Sequence, residues 1–290
     1  MSVACTHGID IGFASLSYLQ IGFLGLVQGF SELLPISSTA HMRIVPALLG
    51  WVDPGSAFSA VMQLAALAAV LSYFAKDVRV LVTGTAQALR QKDYQAPAFR
   101  MSLGIVLATL PIGIAGILLS PLLNACNSPL RGLQVIAIAC IVMAVLLAIS
   151  ERSCTHARPM EQMRLRDALL VGLAQVGALI PGVSRSGSTL TGALFLNFRR
   201  EDAARFSFLL GLPAIALAGL KEIWVLWHAH IPLEAWQHLA VGLLVGSVAA
   251  FAAIWALMRF LEKFSTWLFV AYRASLGVFL LLALNLGWLV

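Results

Sequence analysis

Two short polar segments hold most of the reactive side chains found within the long apolar stretches of this sequence. The first runs from Glu32 to His41 and includes three hydroxyl residues, Ser37, Ser38 and Thr39. A carboxylate and a histidine beside hydroxyl groups can move protons to and from a nucleophile. An ionisable group inside a bilayer costs roughly 3 kcal/mol or more, so Glu32, His41 and Arg185 indicate function.

The second segment, residues 181–189, has the composition of an anion site. Its hydroxyl side chains are Ser184, Ser186, Ser188 and Thr189. Hydroxyl groups at the start of a half-helix bind anions together with free N–H groups and the positive end of the helix dipole. Arg185 adds a fork of donors, which favours phosphate or pyrophosphate. Two alternatives stay open: the serines could be helix caps, and Arg185 could be a structural partner of Glu32.

The first segment contains the candidates for proton transfer and for nucleophilic attack. A histidine titrates near neutral pH, so His41 can act as a general acid or base. Ser38, three residues before His41, is the candidate nucleophile, with either His41 or Glu32 taking its proton. Gln28 lies one helical turn before Glu32 and on the same face, so we expect it to contact the substrate with Ser37 and Thr39. Glu32 could alternatively orient His41 or bind a cation.

The composition places these segments in a membrane protein. Hydrophobic residues make up 60% and charged residues 11%, with a mean hydropathy of +0.90. Soluble domains are about a quarter charged, so this chain lacks the residues for a fully hydrated surface. The net charge is +6, but the basic residues lie in connections between apolar runs, which argues against nucleic acid as a partner. The four cysteines have no CxxC spacing and indicate neither a zinc site nor a disulfide framework.

Apolar stretches of spanning length define the expected helices. They lie at about 57–75, 101–120, 132–150, 204–226, 237–258 and 267–289. Two further apolar regions, 12–50 and 166–198, are interrupted by the polar segments. Proline removes a backbone donor, and glycine and serine favour caps and turns. Each region is therefore predicted to be a re-entrant hairpin of two half-helices.

The two halves of the chain resemble each other. Gly25-Leu26-Val27-Gln28 recurs as Gly172-Leu173-Ala174-Gln175, an offset of 172 − 25 = 147. We expect one integral membrane domain over 1–290, with repeats at about 12–150 and 166–289 that each contain a hairpin and three spans. Because three is odd, the second copy must be inverted. The predicted fold is an all-α polytopic membrane protein with an inverted-topology repeat, six transmembrane helices and two re-entrant hairpins; a simple eight-span bundle is the alternative.

Basic residues predict the orientation. Segments 76–100 and 151–166 are rich in lysine and arginine, whereas the connections 51–56, 121–131 and 227–236 hold only Arg131. The positive-inside rule then puts both termini and the first hairpin outside.

Segments 28–41 and 181–189 resemble the two signatures of the bacterial undecaprenyl-pyrophosphate phosphatases, the bacitracin-resistance family. The resemblance extends to Phe58–Val70 and Phe206–Leu210, and so to nearly the whole chain. It implies an enzyme of the bacterial inner membrane that removes the terminal phosphate of undecaprenyl pyrophosphate. This reaction recycles the lipid carrier for peptidoglycan synthesis and confers bacitracin resistance, with the active site open to the periplasmic side.

The resemblance also implies roles for single residues. Glu32 matches an acidic motif residue, Ser38 the nucleophile and His41 the family histidine, while Ser184 and Arg185 match the phosphate-binding pair. Gln28 and Ser59 stand where the family has acidic residues, which weakens the case for a divalent cation, Mg²⁺ or Ca²⁺, held by Glu32.

The expected partners are a polyprenyl pyrophosphate lipid, membrane lipid and a second copy of the chain. A transporter or flippase of undecaprenyl phosphate that uses the same anion site is the alternative function.

Overall fold

The computed structural model describes residues 5–6, 9–119, 122 and 128–288. Its helices are α1 (Tyr18–Leu33), α2 (Ser38–Leu49), α3 (Gly55–Tyr73), α4 (Ala75–Gln91), α5 (Pro97–Leu118), α6 (Leu133–Ser153), α7 (Leu165–Val176), α8 (Arg185–Phe195), α9 (Arg200–His228), α10 (Leu233–Lys263) and α11 (Trp267–Asn285). Two-residue strands, β1 (Cys5–Thr6) and β2 (Ile9–Asp10), pair antiparallel near the N-terminus.

Six of these helices are long and apolar enough to cross a membrane: α3, α5, α6, α9, α10 and α11. They coincide with the six predicted spans, so the prediction of a multi-pass membrane protein is confirmed. Helices α1, α2, α7 and α8 have 16, 12, 12 and 11 residues. About 20 are needed to span the hydrocarbon region. The two interrupted regions are therefore hairpins of half-helices, as the sequence predicted, and not further spans.

Helix α4 was not predicted. Segment 76–100 was expected to be a charged connection, but its first 16 residues, together with Ala75, form a regular helix of 17 residues over Ala75–Gln91. Its charged residues lower the average hydropathy below that of a span, while its apolar residues recur at helical spacing. Thr85 Oγ1 donates to the Ala98 carbonyl oxygen and to Ser102 Oγ at 3.2 and 2.8 Å, which holds α4 against the start of α5.

Equivalent helices of the two halves make reciprocal contacts. In the first hairpin α1 packs against α10, and in the second α7 packs against α5. The first spans show the same exchange, because α3 packs on α10 and α9 packs on α5, while the third spans, α6 and α11, pack on each other. An inverted repeat produces such reciprocal contacts when each half inserts its hairpin beside the second span of the other.

Small residues permit the close approach of these pairs. A Cβ atom on Gly25 would lie 2.6 Å from the Gly242 carbonyl oxygen, and one on Gly172 would lie 2.3 Å from that of Ala108. The Gly25-x-x-x-Gly29 motif thus serves packing within the molecule, as small residues commonly do between membrane helices.

Ion pairs fix the second half-helix of the first hairpin, α2. Arg43 pairs with Asp53, and Arg131 lies 3.5 Å from both Asp53 and Asp10. Arg43 is thus held against the α2–α3 connection and does not extend freely from the hairpin.

Candidate active site

The tips of the two hairpins have the same local structure. Ser37 and Ser184 adopt positive φ angles of 74° and 72°, which side-chain-bearing residues rarely do. Each serine is an N-cap: Ser37 Oγ accepts from the Ala40 N–H at 3.3 Å, and Ser184 Oγ accepts from the Gly187 N–H at 3.1 Å. The two serines differ by 184 − 37 = 147 positions, so the strained cap recurs at the offset of the internal repeat.

Arg273 joins the two tips from α11. Its side chain is buried, and Nη1 donates to the Pro35 carbonyl oxygen at 3.0 Å. Nη2 donates to the carbonyl oxygens of Gly182 at 2.7 Å and Val183 at 3.0 Å. Sequence reasoning missed this residue, although an arginine in a predicted span is itself a signal of function or of a buried partner.

Hydroxyl groups predicted to bind substrate also connect the hairpins. Ser186 Oγ lies 3.1 Å from the Glu32 carbonyl oxygen and 3.0 Å from that of Leu34. Thr39 Oγ1 accepts from the Gly182 N–H at 3.3 Å. Both side chains satisfy irregular backbone, which is tolerated at membrane depth only where protein or a water-filled cavity pairs its polar groups.

The carboxylate of Glu32 lies at the centre of the site and is buried. Its Oε2 accepts from Ser38 Oγ at 2.5 Å and from Gln28 Nε2 at 2.9 Å. A carboxylate at this distance can take the proton of the hydroxyl as it becomes a nucleophile. Of the two bases considered from the sequence, Glu32 is therefore the one in contact with Ser38.

His41 faces a different group. Its Nδ1 lies 2.7 Å from the Ser37 carbonyl oxygen, and its Nε2 lies 2.5 Å from the Tyr272 hydroxyl on α11. The structure shows no hydrogen bond from His41 to Ser38 or Glu32. The sequence analysis did not include Tyr272 in the site, since a tyrosine near a span end usually belongs to the interfacial aromatic belt.

The guanidinium of Arg185 lies beside Glu32 and forms no hydrogen bond with the described residues. Its Nη2 lies 3.6 Å from Glu32 Oε1, which is an ion pair but too long for a hydrogen bond. The side chain is 10% exposed, and its three nitrogens are buried without a hydrogen-bond partner. Buried polar groups are nearly always paired. The arrangement therefore suits an anion whose oxygens accept from Arg185, while the ion pair with Glu32 also exists.

Gly211 on α9 makes room for Arg185. A Cβ atom on Gly211 would lie 1.8 Å from Nη1 and 2.7 Å from Cζ of the guanidinium. The sequence resemblance ended at Leu210, one residue before this position, and no periodicity signals a contact of this kind.

Ser188 and Thr189 contact protein groups. Both hydroxyl groups donate to the Arg185 carbonyl oxygen, at 3.0 and 2.8 Å, and Thr189 also bonds to Ser207 on α9. Both residues are buried. To contact the substrate as predicted, both hydroxyl groups would have to give up these hydrogen bonds. The Arg185 nitrogens have no such bonds to give up.

The residues around Glu32 fit a divalent cation in part. Gln28 Oε1 is buried without a hydrogen-bond partner, and amide and carboxylate oxygens are ligands of Mg²⁺ and Ca²⁺. Among the described residues, no group of three or more His, Cys, Asp and Glu could hold a metal ion. A cation at Glu32 and Gln28 would thus need phosphate oxygens to complete its coordination.

The repeat has one scaffold but two chemistries. The offset of 147 places Arg185 at the position of Ser38 (185 − 38), Ser188 at that of His41 (188 − 41) and Leu179 at that of Glu32 (179 − 32). The first tip therefore carries a carboxylate and a histidine, whereas the second carries the guanidinium of Arg185.

Comparison with known proteins identifies the family of the chain. Residues 21–279 match the family described as "Bacitracin resistance protein BacA". The chain is 65% identical over 263 residues to "Undecaprenyl-diphosphatase 2" of Mesorhizobium japonicum, covering 91% of this chain and 100% of that one. It is 52% identical to an "Undecaprenyl-diphosphatase" of Gloeobacter violaceus, over 92% and 91% of the two chains, and 48% identical to one of Synechocystis, over 99% and 88%. On these matches, and with both hairpin tips inside the matched region, the chain belongs to the BacA family of bacitracin resistance proteins.

Proposed function

We propose that this protein hydrolyses undecaprenyl diphosphate to undecaprenyl phosphate and inorganic phosphate, and so recycles the lipid carrier of cell-wall synthesis and confers bacitracin resistance. The observation that carries the proposal is the Ser38 hydroxyl 2.5 Å from the Glu32 carboxylate, beside the unpaired guanidinium of Arg185. A hydroxyl nucleophile, a carboxylate base and an arginine that can bind an anion thus lie next to one another. Relatives named as diphosphatases over nearly the whole chain support the same reaction.

The first step transfers the terminal phosphoryl group to Ser38. Arg185 and the N–H groups of the hairpin tips bind the phosphate oxygens and stabilise the charge of the transition state. Glu32 takes the proton of Ser38 Oγ while Oγ bonds to the terminal phosphorus. The bond from that phosphorus to the bridging oxygen breaks, and undecaprenyl phosphate leaves with this oxygen.

The second step frees the phosphate. A water molecule gives its proton to Nε2 of His41 and bonds to phosphorus, while the bond from Ser38 Oγ to phosphorus breaks. Glu32 returns its proton to Ser38 Oγ, which restores the hydroxyl, and His41 gives the proton on Nε2 to the departing phosphate, which restores the neutral ring. Direct attack of water on the diphosphate, with the same bases, is the nearest variant of this mechanism.

A divalent cation, Mg²⁺ or Ca²⁺, is part of the proposal. Glu32 and Gln28 would hold it, since Gln28 Oε1 has no protein partner. When bound, the cation would neutralise part of the diphosphate charge.

The orientation is likewise proposed. Both termini and the first hairpin face the outside of the bacterial inner membrane, and the lipid enters from the outer leaflet with its headgroup between the hairpins. The basic residues of segments 76–100 and 151–166 support this orientation. Membrane lipid and a second copy of the chain are the further proposed partners, the latter to be tested by mass measurement in detergent.

Phosphate release from undecaprenyl diphosphate by the protein purified in detergent tests the function, with and without Mg²⁺ or Ca²⁺. We expect release by the unmutated protein, loss in Glu32→Gln and Arg185→Ala, and loss in Ser38→Ala. Ser72→Ala is the matched control, because Ser72 is exposed and its Oγ bonds to the Ala68 carbonyl oxygen of its own helix. Absence of release from the unmutated protein refutes the phosphatase, whereas full activity of Ser38→Ala refutes only the covalent route.

A further inference from the structure

We infer that Tyr272 is a positioning residue for His41: its hydroxyl bonds to Nε2 and so fixes the orientation of the ring. The kinetic part of this inference rests on the proposed function, whereas its structural part does not.

The hydrogen bonds of His41 define which nitrogen carries the hydrogen. The Ser37 carbonyl oxygen accepts from the His41 backbone N–H at 3.3 Å and lies 2.7 Å from Nδ1. A carbonyl oxygen can only accept, so Nδ1 must donate to it and therefore carries a hydrogen. In the neutral ring Nε2 is then an acceptor, and the Tyr272 hydroxyl at 2.5 Å donates to it.

The fold fixes Tyr272 as firmly as it fixes His41. Its neighbour Arg273 binds the backbone of both hairpin tips, which sets the height and rotation of α11 relative to the first hairpin. The rings of Tyr272 and His41 lie 11° from parallel, with centroids 5.7 Å apart. The phenol therefore meets His41 from a helix other than its own and cannot follow the ring if it turns.

A belt role alone does not account for this contact. Tyrosines of an interfacial belt direct the hydroxyl toward the headgroups, whereas this hydroxyl bonds to a histidine of the hairpin. Tyr272 is 42% exposed, so the pair lies at the edge of the site. Ser38 is meanwhile bonded to Glu32, so a proton that reaches His41 comes from another source, and the Tyr272 hydroxyl turns its hydrogen away from Nε2 to admit it.

Loss of the phenol hydroxyl has a specific consequence. Without this hydroxyl, the Ser37 carbonyl oxygen still holds the hydrogen on Nδ1, but Nε2 loses its partner and the ring is less restrained about its χ angles. The phenol oxygen is also no longer present to accept a hydrogen bond from Nε2 once that nitrogen is protonated. In the proposed reaction both losses slow the proton transfer from water but leave Ser38, Glu32 and the binding of phosphate by Arg185 unchanged.

Nitrogen-15 NMR of the full-length protein in detergent tests the structural part. With histidine labelled, and the His41 signals assigned by their absence in His41→Asn, the unmutated protein should show the tautomer with hydrogen on Nδ1. Tyr272→Phe should keep this tautomer but shift the Nε2 signal to higher frequency, because the acceptor nitrogen loses its hydrogen-bond donor. Tyr18→Phe is the matched control, because Tyr18 also donates to a side chain, Gln237 Oε1, but far from His41 in the fold. Unchanged His41 signals in Tyr272→Phe overturn the inference.

Steady-state kinetics test the second part. We expect Tyr272→Phe to lower kcat about tenfold, a fraction of the 10²- to 10⁴-fold effect of a complete general base, with KM within a factor of two. Unchanged kcat in Tyr272→Phe overturns the kinetic role of Tyr272. An inactive unmutated protein refutes the proposed function, and the NMR experiment then still decides the structural role.

Discussion

Gly211 and Arg185 are in such close contact that a Cβ atom at position 211 would lie 1.8 Å from the guanidinium Nη1. The absence of a side chain on α9 is therefore what allows Arg185 to extend across the site toward Glu32. Gly211→Ala should move the guanidinium from this place. Since a displacement of about 1 Å can cost 10²-fold in rate, we expect kcat/KM for phosphate release to fall by about that factor.

A second glycine provides the control for this substitution. Gly113 on α5 has no atom within 4 Å of a Cβ built on it, so Gly113→Ala should leave activity unchanged and favour the helix slightly. Equal activity of Gly211→Ala and the unmutated protein would show that Arg185 does not need its present position.

Arg185 should respond to the shape of its replacement as well as to its charge. Lysine keeps the charge but has no planar fork to bind two phosphate oxygens. We therefore expect Arg185→Lys to retain more activity than Arg185→Ala, whose kcat/KM should fall by about 10³-fold. Arg79→Ala, an exposed arginine on α4, is the control. Equal activity of the lysine and alanine variants would contradict bidentate binding.

Two buried arginines should have unequal effects on stability. Arg273 satisfies three backbone carbonyl oxygens, so Arg273→Ala leaves them unpaired and should destabilise the protein by about 3 kcal/mol or more. Arg185 has no hydrogen-bond partner and only the 3.6 Å ion pair with Glu32, and Glu32 keeps its bonds to Ser38 and Gln28 without it. Arg185→Ala should therefore lower the thermal midpoint, but by less than Arg273→Ala. Thermal unfolding in detergent compares the two, and equal losses would refute the distinction between a structural and a ligand-binding arginine.

Gln28 should control the need for a cation. Gln28→Glu adds a second carboxylate beside Glu32, and the number of charged ligands largely sets the affinity of such sites. We expect the Mg²⁺ or Ca²⁺ concentration for half-maximal phosphate release to fall about tenfold. Gln87→Glu, at an exposed position of α4, controls for total charge. An unchanged cation dependence would indicate that Gln28 is not a ligand.

Hydropathy and backbone breakers sufficed to predict the six spans and the two hairpins, because each is a property of a continuous stretch of chain. Helix α4 escaped the prediction for the same reason: its charges lower the average that identifies a span, and its helical period has to be examined separately. The segment boundaries of the repeat stay a prediction, although the strained caps at Ser37 and Ser184 follow its offset of 147 (184 − 37).

The contacts of the site were less accessible to sequence reasoning. Ser38 lies three residues from His41 and six from Glu32, and nothing in that spacing shows that its hydroxyl faces Glu32. Tyr272 and Arg273 lie more than 200 residues from the groups they bind in the first hairpin. The clearance at Gly211 depends on the path of a side chain from another helix, which no local pattern records.

The reciprocal packing of the hairpins has a consequence for how the chain is made. Helix α1 packs against α10, whose first residue follows the last residue of α1 by 233 − 33 = 200 positions. The first hairpin therefore leaves the ribosome and enters the membrane long before its packing partner has been translated. Each half supplies a surface that the other lacks, so two half-chains produced from separate messages should assemble with each other in the membrane, whereas either one alone should be degraded.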